Sequence, residues 1–301
     1  MSERVLLVLN PCAGQRRANK SLAEIIRAIL DADCRCETYV TARRGDCTDF
    51  LASHASEFDR VICAGGDGTL NETIAGVLKA GSQIPIGYIP CGTTNDFASS
   101  LGLSSDVEQA ARDAVGGVPC PFDVGQFDQR YFTYTASCGA FTKASYSTPQ
   151  PMKNVLGHLA YILEGIKDLP SIRPIHLNVK TEAREIEDDF IFFAVTNSTS
   201  VGGILKLNAE RVALNDGLFE VMLVRHPTTA MQLSSIIHGI TTMDLPTEMI
   251  HFFNASEIVV KSDLPIEWTL DGERADGGRE VSMRNLHSAV RIVLPEAVRT
   301  K

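Results

Sequence analysis

The stretch VICAGGDGTLNETIAG, residues 61–76, contains an apolar run, a glycine-rich segment and a helix-forming segment. The run Val61–Ala64 is typical of a buried strand. Residues 65–69 have almost no side-chain bulk and predict a tight turn. Thr69 and Glu72 have the spacing of a capping box, which predicts that a helix begins here. The stretch therefore predicts a strand, a glycine turn and a helix N-terminus in immediate succession.

This succession is a candidate anion-binding site. Free backbone N–H groups and the positive end of the helix dipole converge at such a turn, and glycines let a phosphate approach the backbone. Asp67 adds a carboxylate to the turn, and a carboxylate beside phosphates requires a cation such as Mg²⁺ between them. The alternative is a tight turn with a solvated aspartate, and residues 65–69 alone do not decide between the two.

Length and composition predict an ordinary globular protein. A chain of 301 residues is long for one core, so we expect two domains. The net charge of −9 argues against nonspecific binding to nucleic acid. The N-terminal apolar run is too short for a signal peptide or a spanning helix, so a cytoplasmic protein is expected. Its eight cysteines form no CxxC pair and predict reduced, mostly buried residues.

Strands and helices alternate in the first part of the chain. The predicted strands are 4–9, 34–41, 61–64 and 84–90, and the predicted helices are 21–31, 46–57 and 69–81. The strand at 84–90 leads into a second small-residue turn, PCGTTNDFA (90–98), which opens another helix. This alternation predicts a doubly wound parallel sheet.

Three loops follow strands of this sheet, at residues 10–17, 65–69 and 91–96. The carboxyl ends of parallel strands share one edge, where ligands gather. Asp67 and Asp96 are therefore expected to meet across one cleft. Two carboxylates that close repel each other, so a divalent cation between them is the natural arrangement.

From residue 126 onward, strand-like segments follow one another. They are found at 131–138, 174–181, 189–197, 218–225, 257–262, 266–273 and 289–295. Amphipathic helices are predicted at 155–169 and 228–240. This half predicts a mainly antiparallel β-sandwich. A secondary hypothesis is that the helix at 155–169, flanked by Lys153 and Lys167, meets a membrane surface.

Several motifs together resemble a known family. GGDGTLNE (65–72) and PCGTTNDFA (90–98) resemble signatures of the diacylglycerol kinase catalytic domain and its bacterial lipid-kinase relatives. NPCAG (10–14) is similar to the family's N-P-x-S-G loop, and NDGLFEV (215–221) and LDGE (270–273) resemble motifs of its second domain. The ordered set covers nearly the whole chain.

The resemblance implies a fold and a separate function for each of two domains. A Rossmann-like nucleotide-binding domain is expected at 1–125, and an antiparallel β-sandwich domain for the lipid substrate at 126–301. Residues 289–301 are a candidate to return to the first domain. The active site is expected in the cleft between the domains.

The resemblance also implies site residues. The expected ATP-binding residues lie in the loops after the strands: Asn10, Pro11, Cys12, Ala13, Gly14, Arg16, Thr41, Gly65, Gly66, Asp67, Gly68, Thr69, Leu70, Asn71 and Thr94. Asp67 and Asp96 would organise the catalytic Mg²⁺, directly or through water, and Glu273 would be the general base. A structural Mg²⁺ would be held by the Asp216 carboxylate and the carbonyls of Ala213 and Leu218.

The first loop departs from the family pattern. Ala13 and Gln15 stand where the family has small polar and basic residues, and Arg16 or Arg17 is the candidate to supply the missing charge. The function implied is transfer of the γ-phosphate of ATP to diacylglycerol by a homodimer at the inner face of the membrane. The alternatives are a kinase for phosphatidylglycerol or a sphingoid base, a nucleotide or lipid sensor without turnover, and, more remotely, an NAD kinase.

Overall fold

The computed structural model describes residues 2–139, 173–197, 200–201, 205–206, 214–242 and 244–296. The chain divides into two units, Met1–Asp123 with Ser288–Lys301, and Val124–His287. The helix predicted at 155–169 and Ala213 lie outside the described residues. Among the described residues, no helix is both long and apolar enough to cross a bilayer.

A parallel sheet forms the centre of the first unit. Its strands are β1 (Arg4–Leu9), β2 (Arg35–Val40), β3 (Arg60–Gly65) and β4 (Pro85–Pro90). They lie in the order β2, β1, β3, β4, and the last strand of the chain pairs in parallel with β4 through Arg291 and Ile292. Because all these strands run in one direction, their carboxyl ends lie at one edge of the sheet.

Helices cover both faces of this sheet. They are α1 (Ala13–Lys20), α2 (Leu22–Asp31), α3 (Asp46–His54), α4 (Asp67–Lys79), α5 (Asp96–Ser100) and α6 (Val107–Gly116). One core packs Val5, Leu7 and Leu9 of β1 against α2 and α6. The alternating residues Leu6 and Val8 are also fully buried, so the opposite face is covered as well. The expected α/β architecture is confirmed.

The second unit is mainly antiparallel. The remaining strands, two of which extend into the first unit, are β5 (Val118–Phe127), β6 (Arg130–Phe132), β7 (Thr135–Gly139), β8 (Ile175–Thr181), β9 (Glu185–Thr196), β10 (Ser200–Val201), β11 (Leu205–Lys206), β12 (Phe219–Arg225), β13 (Ile250–Ala255), β14 (Glu257–Ser262), β15 (Glu267–Leu270), β16 (Glu273–Asp276) and β17 (Glu280–Leu294). Its described helix is α7 (Ala230–Thr242).

The strand β9 organises the second unit. Its first half pairs with β8, and its second half pairs with β7 on one side and β12 on the other. Its alternate side chains enter two cores: Phe193 packs with Trp268 and Phe219 in the larger one, and Ala194 packs beneath α7 in the smaller one. The expected β-sandwich is confirmed, and Trp268 is fully buried in its larger core.

Three local predictions differ from the structure. The predicted loop at 10–17 overlaps α1, which begins at Ala13, although Gly14, Gln15 and Arg16 within it are not helical. The helix α6 was not predicted, because its buried face is largely alanine and gives a weak apolar periodicity. The strand β13 was not predicted either, because its sequence IHFFNA does not alternate regularly between apolar and polar residues.

His251 on β13 contributes to the second unit a part of its stability that is lost in acid. Burial lowers the pKa of the His251 imidazole, and the charges of Arg225 and Arg184 lower it further, while Asp188 opposes them. The folded state therefore binds a proton at this site less readily than the unfolded chain does. The resulting stability is present above the unfolded pKa of about 6.5 and is lost as the pH falls through and below it.

We expect His251→Phe to reduce the fall in unfolding temperature of the second unit between pH 7 and pH 5. Thermal melts followed by fluorescence of Trp268, the single tryptophan, report on this unit. His238→Phe is the matched control, because His238 is an exposed histidine on α7. A His251→Phe profile that parallels wild type and the control would remove His251 from the acid response.

Candidate functional site

Backbone hydrogen bonds continue past the ends of the strands and join the loops of the first unit. The Thr41 N–H donates to Leu9 O at 2.9 Å, and the Asn10 N–H donates to Ala64 O at 3.0 Å. The Cys91 N–H donates to Gly65 O at 2.7 Å. The loops after β1, β2, β3 and β4 therefore lie side by side at the carboxyl edge of the sheet.

The helix α4 begins earlier than the sequence predicted. Its N-cap is Gly66 in an extended conformation, and Asp67 is the first helical residue. The predicted capping box is wrong, because both of its side chains have other partners. Thr69 Oγ1 accepts a hydrogen bond from Asn10 Nδ2 at 2.9 Å, and Glu72 Oε1 accepts one from the Gly45 N–H at 2.8 Å.

The Asp67 carboxylate joins the loop after β3 to the helix after β4. Asp67 Oδ2 accepts the Asp96 N–H at 3.0 Å, and Oδ1 accepts the Phe97 N–H at 3.3 Å. The Thr94 hydroxyl lies 3.5 Å from Oδ2. Burial raises the pKa of the Asp67 carboxyl, and these hydrogen bonds oppose the rise. Asp67 therefore contacts the backbone of Asp96 and serves as the cap of α5, whereas the meeting of the two carboxylates stays a prediction.

Two residues that the sequence analysis did not single out shape the loop after β4. Asn95 has a left-handed conformation, with φ of 52°. Its Oδ1 accepts the Gly92 N–H at 2.8 Å and its Nδ2 donates to Gly92 O at 3.0 Å. The Tyr88 hydroxyl lies 3.4 Å from the same Oδ1. An asparagine directly before a helix was the available signal, because asparagine tolerates this conformation and favours such positions.

The loop after β1 makes a left-handed turn within α1. Gly14, Gln15 and Arg16 have successive φ values of 48°, 57° and 67°. A Cβ at Gly14 would lie 1.9 Å from Cys91 O, so only glycine fits there. Left-handed backbone at the other two residues costs about 1–3 kcal/mol each, and such strain is concentrated at functional sites.

The basic residues of this loop differ in their surroundings. Arg17 Nη2 donates to Ser105 O at 2.6 Å, so its guanidinium is engaged by the protein. Arg16 is exposed. Of the two candidates for the missing charge, Arg16 has the greater freedom to reach an anion.

The described residues offer no metal site built from protein side chains alone. These contain no group of three or more His, Cys, Asp or Glu side chains arranged to hold a metal ion. A cation at Asp67 and Asp96 would therefore need oxygen ligands from water or from a bound phosphate, which is the usual situation for Mg²⁺ in kinases.

In the second unit, Glu273 follows a two-residue hairpin turn. Asp271 and Gly272 both have positive φ, and Leu270 pairs with Glu273 across the hairpin of β15 and β16. The Asp271 carboxylate accepts the N–H groups of Thr133, Tyr134 and Thr135 at 2.6, 3.0 and 3.0 Å.

The Thr133 hydroxyl donates a further hydrogen bond to the same carboxylate. Burial raises the pKa of the Asp271 carboxyl, and the hydrogen bonds oppose the rise. The turn that carries Glu273 is thus tied to the start of β7.

Asp216 and Leu218 form a tight loop before β12. Asp216 Oδ1 accepts the Leu218 N–H at 2.9 Å. Four residues after Asp216 lies Glu220, which is buried within the sheet. Burial, with a further contribution from the charge of Asp216, raises the pKa of the Glu220 carboxyl to about 8.

Comparison with known proteins relates this geometry to a family. The model of the diacylglycerol kinase catalytic domain matches residues 4–127. The model of the YegS C-terminal NAD kinase beta sandwich-like domain matches residues 137–298. The diacylglycerol kinase of Bacillus subtilis (strain 168) is 33% identical over 296 residues, which cover 98% of this chain and 97% of that protein. The chain belongs to the diacylglycerol kinase family.

Other relatives agree with this membership. A diacylglycerol kinase of Staphylococcus epidermidis is 29% identical, with 99% of this chain and 94% of that protein covered. A crystal structure of a diacylglycerol kinase from Bacillus anthracis str. Sterne superposes with a TM-score of 0.73 at 22% identity, with 98% of each chain covered. At that identity the structural match supports the fold alone. Membership of a kinase family implies use of ATP.

We expect Gly14→Ala to weaken ATP binding at least tenfold, because the added Cβ would displace the loop after β1 from Cys91. Gly81→Ala is the matched control: Gly81 also has positive φ, at 61°, but nothing lies within 4 Å of a Cβ there. Titration calorimetry with ATP measures both variants. Equal affinity of Gly14→Ala and the control would show that contact of the two loops does not shape the nucleotide site.

Proposed function

We propose that this protein is an ATP-dependent diacylglycerol kinase that transfers the γ-phosphate of ATP to the hydroxyl of diacylglycerol and forms phosphatidic acid. The observation that carries the proposal is the identity of 33% with the Bacillus subtilis diacylglycerol kinase over 98% of this chain. In this reaction the lipid oxygen forms a bond to the γ-phosphorus, the bond to the β–γ bridging oxygen breaks, and the hydroxyl proton passes to a base.

The first unit is the proposed nucleotide-binding domain, and the second is the proposed lipid domain. Four loops aligned at one edge of a parallel sheet support binding of the nucleotide in the first unit. The N-cap of α4 is Gly66, which has no side chain to cap the first N–H groups of the helix. Arg16 adds a positive charge from the loop after β1.

Magnesium is part of the proposal. The candidate ligands for the catalytic ion are Asp67 and Asp96, directly or through water. Thr94, Asp96, Phe97 and Tyr88 donate hydrogen bonds to the Asp67 carboxylate, which can accept about four, so contact with the ion through water is the arrangement that fits these partners. Bound Mg²⁺ would neutralise phosphate charge during transfer. For the proposed structural ion, Asp216 supplies the carboxylate, together with the carbonyls of Leu218 and Ala213.

The direct test is transfer of labelled γ-phosphate from ATP to lipids in mixed micelles, with Mg²⁺ present or withheld. We expect labelled phosphatidic acid that disappears without Mg²⁺. The acceptor panel includes phosphatidylglycerol, a sphingoid base and NAD, the last because the second unit matches an NAD kinase-like sandwich model. Label on another acceptor would change the substrate, and bound ATP with no labelled product would favour the sensor.

Glu273 is the proposed general base that receives the hydroxyl proton. We expect Glu273→Gln to retain ATP binding and to lower turnover by roughly a hundredfold or more. Glu267→Gln is the control, because Glu267 is an exposed glutamate on the same hairpin that pairs with Arg274. An unchanged rate in Glu273→Gln would exclude Glu273 as the base.

We further infer a cytoplasmic homodimer that works at the inner face of the membrane. The lipid substrate resides in a bilayer, and the eight free cysteines suit a reducing compartment. Sedimentation with diacylglycerol-containing vesicles tests the membrane association, and light scattering after size-exclusion chromatography tests the dimer. Protein that stays in the supernatant, or that elutes with a monomer mass, would contradict the corresponding inference.

A further inference from the structure

A row of buried polar side chains crosses three strands of the second unit. Thr135 on β7 lies opposite Thr196 on β9, which in turn lies opposite Glu220 on β12. Directly opposite residues of antiparallel strands project from the same face of the sheet. The exposed fractions of Thr135, Thr196 and Glu220 are 4%, 0% and 4%. We call these three residues the polar row.

The polar row has unmet hydrogen-bonding capacity. Within the part of the chain that the structure describes, Thr135 Oγ1, Thr196 Oγ1 and Glu220 Oε2 have no hydrogen-bond partner in the protein. Buried polar atoms in native proteins nearly always have a protein or water partner, because an unmade hydrogen bond costs stability. Opposite Cβ atoms lie about 5 Å apart, a separation at which one water can bridge two side-chain oxygens.

One end of the polar row is attached to the turn that carries Glu273. The Thr135 N–H donates to Asp271 Oδ1 at 3.0 Å, and the Asp271 N–H donates to Thr135 O at 2.9 Å. Glu273 follows Asp271 by two residues. The backbone position of Thr135 therefore sets the position of the hairpin.

We propose that internal water bridges the polar row and that this row positions the Asp271–Gly272 turn, and through it Glu273. Thr135, Thr196 and Glu220 are positioning residues that act through Glu273 and do not touch the reacting atoms. The role of Glu273 rests on the proposed function. The water bridges between the polar-row side chains and the positioning of the turn by this row do not.

The first test needs no activity. Thr196→Val keeps the side-chain shape and removes the hydroxyl, whereas Thr196→Ser keeps the hydroxyl. In hydrogen–deuterium exchange, Thr196→Val should accelerate exchange of the Thr133–Thr135 amides about three- to tenfold, which is the effect of one lost hydrogen bond on local opening. Thr196→Ser should match wild type, and the β14 amides should be unchanged in both variants. Equal exchange in Thr196→Val and wild type would overturn the inference.

The second test separates positioning from general destabilisation. We expect Thr196→Val to lower kcat about fivefold or more, because small displacements of a catalytic group are costly, and to leave the KM for ATP unchanged. In a Glu273→Gln background the same substitution should have no further effect on kcat, because the carboxylate through which it is proposed to act has already been removed. An equal loss in both backgrounds would overturn the positioning role.

A wild-type protein that binds ATP and phosphorylates no acceptor would refute the proposed function and would leave the exchange experiment to decide this inference.

A crystal structure provides the last check. Ordered water within hydrogen-bond distance of two of the three oxygens is expected, and oxygens paired directly with each other would contradict the water bridge.

Discussion

The hydrogen bonds from the first amides of α5 to the Asp67 carboxylate are the contact on which the proposed nucleotide site depends. The helix α5 has five residues, too few to be stable alone, and its N-terminal N–H groups need an acceptor. A carboxylate at a helix N-terminus meets that need and also interacts favourably with the helix dipole. Burial of the Asp67 charge opposes this gain, as the raised pKa of its carboxyl shows. The net result fixes the loop after β4 against the start of α4.

A second aspartate does the same work in the second unit. Asp271 accepts three successive backbone N–H groups and a hydroxyl, and thereby holds the hairpin turn against the start of β7. In the first unit the carboxylate that fixes the backbone is itself proposed for metal binding, and in the second unit it lies two residues before Glu273, the proposed base. The buried polar row extends this arrangement from the Asp271 turn to Glu220 and so towards the loop of Asp216.

The succession of strands and helices in the first unit, apart from α6, could be predicted from the sequence, because its buried strands are nearly continuous apolar runs separated by segments with helical periodicity. Parallel topology then required the loops after β1, β3 and β4 to share an edge, and they do. The partners of individual side chains were beyond sequence reasoning. Thr69 and Glu72 have capping-box spacing, yet Asn10 and Gly45 provide their partners from distant parts of the chain. The sequence analysis assigned Asp67 to metal binding. Its hydrogen bonds to α5 could not be predicted, because the first of them joins residues that lie 29 positions apart in the chain.

The most direct test of this account is the affinity of Asp67→Asn for ATP without any divalent cation, measured by calorimetry in the presence of a chelator. If Asp67 builds the site by capping α5, the variant should bind metal-free ATP at least several-fold more weakly than wild type, because an amide cannot accept at both positions. If Asp67 acted only through a metal ion, removal of its negative charge beside the phosphates would leave metal-free binding unchanged or tighter. That second result would contradict the account.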